Sequence, residues 1–140
     1  MNINITDVDK LKNDVEFNNF ISNNSGMGTL KIRANSINEA LPVENVKIIV
    51  EKKIGNNNII FFEGYTDKSG MINNIKLPTP KRIISNLEIP NFTTYEIIAE
   101  YKKDDFLKKY NISLCCGADL IQYINIIPKI NIERFDMYGN

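Results

Sequence analysis

From Gly28 to Pro128 the chain alternates apolar and polar residues with a period of two, which a strand can use and a helix cannot. Leu30, Ile32 and Ala34 are separated by Lys31 and Arg33, and Val46, Ile48 and Val50 by Lys47 and Ile49. Further strands are expected at Ile59 to Tyr65, Met71 to Leu77, Thr94 to Tyr101, Leu107 to Leu114 and Leu120 to Ile127. Turn residues punctuate them. Gly55 with Asn56, Asn57 and Asn58 reads as a hairpin turn, and Thr66-Asp67-Lys68-Ser69-Gly70 as another. Residues 78–92, with Pro78, Pro80 and Pro90, read as an irregular connection. The chain has 24 Ile against 8 Leu and 5 Val, and Ile, stiff at χ1, suits a pleated surface better than a helix. Seven short strands with turns between them predict an all-β chain folded as a β-sandwich.

The ends read differently. Residues 6–21 are the one helix expected: Thr6 and Asp9 form a weak capping box, and Val8, Leu11 and Val15 share a face. The expected division is an N-terminal arm over 1–27, the sandwich over 28–128 and a C-terminal tail over 129–140. The first 24 residues are polar and lack the apolar stretch of a classical signal peptide, and no apolar run approaches a membrane span.

With 17 basic and 17 acidic residues and no basic stripe, the usual electrostatic case for nucleic acid is missing. The sequence has no histidine, which removes the Ser-His-Asp and Cys-His arrangements and the common zinc sites. The Asp67 turn supplies one carboxylate where calcium needs six to eight oxygens, so Asp67 is expected to cap the turn while Gly70 takes the left-handed position. Glu63, Glu96 and Glu100 alternate with apolar residues and are expected on the solvent face, not paired in a cleft. A Lys31–Asn125 crosslink assisted by Glu96 would need Lys31 inside the core, and its neighbours Leu30 and Ile32 put it outside. Cys115 and Cys116 are adjacent, so a bridge between them would be strained. They are expected as thiols, or as an intermolecular disulfide outside a reducing compartment. No catalytic residue, cofactor or metal site is expected, and the chain is not expected to be an enzyme.

The segments GTLKIRA, LPVENVKIIVEK, GYTDKSGMINNIKLPTP, TTYEIIAEYKKDDF and CGADLIQYINIIP together resemble the transthyretin-like, carboxypeptidase-regulatory-like sandwich. Within it they are most similar to the N-terminal domain of spore-cortex-lytic enzymes and related peptidoglycan-binding proteins of anaerobic spore formers. The residues carrying the likeness are Gly28, Leu30, Pro42, Val46, Thr66, Asp67, Gly70, Leu77, Pro78, Pro80, Tyr95, Gly117, Gln122 and Pro128. Each has a structural job: Pro78 and Pro80 end a strand, Gly70 and Gly117 take turns, and Tyr95 buries its ring with its hydroxyl near a strand end. The resemblance implies a seven-stranded transthyretin-like (Ig-like) sandwich with a helical or extended N-terminal appendage. Hydroxyisourate hydrolase shares that fold but relies on histidines and a C-terminal tetrapeptide, so its activity is not expected of a chain without histidine that ends Met-Tyr-Gly-Asn.

The functional expectation is therefore a non-catalytic pro- or localisation module of a spore-cortex-lytic-type protein. The resemblance implies a place in the spore envelope or on the spore surface, with a cortex-lytic hydrolase or peptidoglycan as partner. The alternative is a self-assembling protomer of a spore-surface or extracellular fibre, a homo-oligomer built through its arm, tail and edge strands.

Overall fold

A computed structural model describes residues 2–4, 11, 13–36, 41–82 and 91–128. The described strands are β1 (Asn2–Asn4), β2 (Gly26–Ser36), β3 (Lys47–Ile54), β4 (Asn57–Tyr65), β5 (Met71–Thr79), β6 (Thr93–Tyr101), β7 (Phe106–Leu114) and β8 (Asp119–Ile126), and the helix α1 (Val15–Asn23) precedes β2. They form two sheets, one of five strands in the order β1-β4-β3-β6-β7 and one of three in the order β5-β2-β8. The seven strands expected from the alternation are all present. The three-residue β1, which adds in parallel to β4 through Asn2 opposite Asn58, was not expected.

The core lies between the sheets. Leu30, Ile32 and Ala34 of β2, Ile75 and Leu77 of β5, and Ile124 and Ile126 of β8 face Ile48 and Val50 of β3, Tyr95, Ile97 and Ala99 of β6, and Ile112 and Leu114 of β7. Every one of them is buried, which is what the period-two pattern demands of a strand with one covered face. Within the larger sheet β3, β4, β6 and β7 pair antiparallel. In the smaller one β2 pairs antiparallel with β5 but parallel with β8, from Thr29 opposite Asp119 to Ser36 opposite Ile126.

Described residues of the N-terminal segment pack on the sandwich. Leu11, Phe17 and Phe20 pack on Ile54, Ile59 and Phe61 at the β3–β4 hairpin end, and Phe20 also reaches the main core. Leu11 is helical, and the expected helix is interrupted at Asn13 and Asp14 before α1 begins at Val15. Asp14 is the N-cap, accepting from the Phe17 amide at 2.8 Å, and its other carboxylate oxygen accepts from Asn57 at 3.2 Å. Val15, expected on the packed face with Leu11, is 69% exposed, because capping at Asp14 turns Phe17 and Phe20 inward instead. Thr6, Val8 and Asp9, Pro90 and the tail 129–140 lie outside the described residues.

Two turns follow the expected chemistry. Gly55 takes φ 61° at the first position of the two-residue loop between Ile54 and Asn57, where a side chain would be strained. Gly70 takes φ 73°, and a Cβ there would stand 2.4 Å from the Ala34 carbonyl oxygen.

Candidate functional site

Most residues that carry the resemblance hold turns and strand ends, but β5 runs through Pro78 to Thr79, so the strand end expected at Pro78 falls at Pro80 instead. Thr66 is buried, donates to the Val43 carbonyl at 2.7 Å and accepts from the Val46 amide at 3.0 Å. Asp67 accepts from the amides of Ser69 at 2.9 Å and Met71 at 3.0 Å, so its carboxylate is spent on the turn. The Tyr95 ring is buried and its hydroxyl reaches the Pro78 carbonyl. Gln122 on β8 donates to the Tyr123 carbonyl at 3.0 Å, Gly117 takes φ 79° in the β7–β8 turn, and Pro128 follows β8. Pro80 accepts from the Thr79 hydroxyl at 3.3 Å.

The crosslink residues are not assembled. Lys31 stands opposite Ile121 and Asn125 opposite Asn35, so the two are offset along the same pair of strands, and Glu96 belongs to the other sheet. Glu96 does have an acidic neighbour, because the register of β3 and β6 puts it directly opposite Glu51. Partial burial and the Glu96 charge raise the Glu51 carboxyl above its ordinary value, with Lys109 opposing. This pair was not legible beforehand, since it exists only once two distant strands are aligned. Glu63 instead pairs with Lys47 at 3.3 Å. Among the described residues no three His, Cys, Asp or Glu side chains converge as a metal site, and no described helix is long and apolar enough to cross a membrane.

A groove of about 450 Å³ opens at one end of the larger sheet, lined by Asn45, Lys47, Tyr65, Glu100, Tyr101, Lys102 and Lys103. Its three lysines outnumber its one carboxylate, Glu100, and the Lys47 ammonium is already engaged by Glu63.

The sheet edges differ more sharply from one another. The β5 edge carries Pro78 and, where two residues are spent opposite Lys31, Asn74 at φ 59°. The β7 edge carries Lys108 and Lys109. Both are devices that discourage a further strand from adding. The β8 strand, Asp119–Ile126, has neither Lys nor Pro and keeps an unbroken register with β2 along eight residues. Its outward Ile121 and Tyr123 are 44% and 50% exposed, and Ile127 just beyond is also exposed. The β7 edge also has an unbroken ladder and an exposed Leu107, and what sets β8 apart from it is the lack of lysine beside the exposed Ile121 and Tyr123.

No protein-family model matches the chain, and no curated protein sequence matches it. Solved structures do. The 5-hydroxyisourate hydrolase of Klebsiella pneumoniae is similar over 74% of this chain and 92% of its own, at 18% identity and a TM-score of 0.46. An (S)-allantoin synthase is similar at 9% identity and a TM-score of 0.49, over 77% of this chain, which spans less than half (43%) of that one. Transthyretin from Sparus aurata is similar at 15% identity and a TM-score of 0.43, over 70% of this chain and 89% of its own. Two of these are enzymes by name, and likenesses of this order assign no activity. None of these three is named as a spore-cortex-lytic protein. The described residues form a two-sheet β-sandwich with the short helix α1, and its own sheet order describes it best.

Proposed function

We propose that this chain is a non-catalytic interaction module that self-assembles by pairing β8 with β8 of a second copy. The observation that carries this reading is the undefended β8 edge, beside two edges that are defended. An edge strand offers a row of free amide and carbonyl groups, and an added strand satisfies them while covering the side chains beside it. A second copy is the occupant because the edge complements itself. Antiparallel pairing about Tyr123 sets Ile121 against Asn125 and Leu120 against Ile126 of the other molecule, and joins two three-stranded sheets into one of six. The zero net formal charge adds no general repulsion between copies.

The second reading is the pro- or localisation module of a spore-cortex-lytic-type protein, with a hydrolase or cortex peptidoglycan as partner. It draws on the motif resemblance over residues 28–128, and it would use the same free edge toward a different strand. Sedimentation equilibrium of the wild type and of Ile121→Lys separates them. Concentration-dependent association that the substitution abolishes, with unchanged circular dichroism, supports pairing through β8. A wild type that stays monomeric at high concentration overturns it. Negative-stain microscopy then tells a closed dimer from a fibre.

A further inference from the structure

The groove at one end of the larger sheet is built by strand register and held by backbone. Lys47 stands opposite Tyr65 of β4 on one side and Glu100 of β6 on the other, so the three side chains share one row. Ile48 beside Lys47 is buried, which puts that row on the outward face. Asn45 takes φ 68° before β3, and its amide donates to the Thr66 carbonyl at 3.0 Å. Beyond β6 the 3₁₀ turn Lys102–Asp104 closes as the Asp105 amide donates to the Lys102 carbonyl at 3.1 Å, and this turn brings Lys102 and Lys103 to the groove.

The lining is more polar than that of most ligand pockets, whose walls are mainly apolar with a few polar groups. Here each lining residue carries a polar group, and apolar surface comes from the Tyr65 and Tyr101 rings and the lysine stems. Tyr65 is 60% exposed, so its ring is accessible without rearrangement. An apolar ligand would strip water from the Asn45 amide and the Glu100 carboxylate and return no hydrogen bonds. A polyhydroxylated ligand returns them, its hydroxyls donating to Glu100 and both donating to and accepting from Asn45. Charge sorts the ligand further. Lys47 is engaged by Glu63 at 3.3 Å, and among the described residues neither Lys102 nor Lys103 forms an ion pair, leaving two ammonium groups against one carboxylate. An anionic substituent is favoured beside them. A bare anion would leave the rings and Glu100 unused.

We propose that this groove binds an acidic saccharide, with one sugar ring on Tyr65, its hydroxyls at Asn45 and Glu100, and its carboxylate at Lys102 and Lys103. A volume of about 450 Å³ holds roughly one or two sugar rings, and the open side of the groove lets a longer chain run past. The walls are set by β-ladder and turn hydrogen bonds before any ligand arrives, which lowers the ordering cost of binding. The site lies on the larger sheet, whereas β8 belongs to the smaller one, so it rests on neither reading of that edge.

The test is isothermal titration of the full chain with trigalacturonate. Maltotriose is the neutral probe, citrate the bare anion and oligothymidylate a polyanion of another class. Saturable one-to-one binding of trigalacturonate is expected, weakened by salt and weakened at least about fivefold by Tyr65→Ala or by Lys102→Gln and Lys103→Gln together. Glu100→Ala should weaken it about threefold through the lost acceptor, where attraction between charges alone would tighten it. Lys76→Gln removes the same charge from the smaller sheet and should leave the affinity within about twofold. Circular dichroism checks each variant, and if Tyr65→Ala fails to fold, the exposed lysines and Glu100 carry the comparison. No saturation by about 10 mM trigalacturonate overturns the proposal. So does equal or tighter binding of maltotriose, citrate or oligothymidylate, tighter binding by Glu100→Ala, or a loss in the lysine variant no larger than in Lys76→Gln.

Discussion

The Tyr95 hydroxyl donates to the Pro78 carbonyl at 2.5 Å, which ties the larger sheet to the smaller one across the core. Pro78 lies on the β5 edge, and its carbonyl is satisfied from inside the sandwich by a side chain of β6. The ring is held at the same time, edge-on to Phe61 at 5.3 Å between centroids, and Phe61 in turn meets Phe20 of α1 at 5.7 Å. One tyrosine therefore joins both sheets and the helix. Tyr95→Phe keeps the ring and strands the carbonyl, so a loss of about 1–3 kcal/mol is expected in urea unfolding.

Burial also raises the Tyr95 hydroxyl far above its ordinary value, and the Tyr110 hydroxyl in the same direction. Unfolded tyrosines ionise near about pH 10, while these two keep their protons when folded. Above that pH the unfolded state binds fewer protons, so stability falls as pH rises, having been fully present below it. Urea midpoints against pH should drop on the alkaline side. Tyr95→Phe should show a shallower fall than the wild type, with tyrosinate absorbance as the independent readout.

Gly70→Ala should be among the costliest single-methyl additions in the chain. It pairs a positive φ with a Cβ only 2.4 Å from the Ala34 carbonyl oxygen, against backbone that cannot yield cheaply. A loss of about 2 kcal/mol or more is expected in thermal unfolding. Alanine at the exposed Ser69 beside it should change stability by less than about 0.5 kcal/mol.

Glu51→Gln should stabilise the protein at neutral pH. The raised carboxyl of Glu51 means that its contribution is present below the usual value of 4.5 and is lost as pH rises through the higher folded value. Glutamine removes the repulsion with Glu96 at neutral pH, a gain of about 0.5 kcal/mol for a partly exposed cross-strand pair. The gain should vanish in acid. A pH-independent difference between the two proteins would point to packing as its cause.

The strands were legible because their signal is local. Ile48 and Val50 are buried and the flanking lysines and glutamates are not, and each turn residue declares the backbone it needs. The helix was only partly legible, since Leu11 and Val15 fit one face on paper while Asp14, competing as a cap, ends the continuity between them. The site features depended on register across the chain. Tyr65, Lys47 and Glu100 fall in one row because β3 lies between β4 and β6, and Glu51 meets Glu96 only through the β3–β6 ladder. Edge exposure was unreadable as well, because alternation tells which face of a strand is covered and not which side is bonded.

The parallel ladder of β2 with β8 also sets the order in which this molecule can come into being. Thr29 and Asp119 are 90 residues apart, so a strand made early must wait for one made near the far end of the sandwich. Closing so large a loop has to be accomplished before the ladder rewards it, which places folding in the slow range of about milliseconds to seconds. During synthesis β2 can already pair with β5, yet its other side stays open until the ribosome has released β8. A nascent chain of this protein thus passes through a stage at which β2, not β8, is the strand that neighbouring chains could capture.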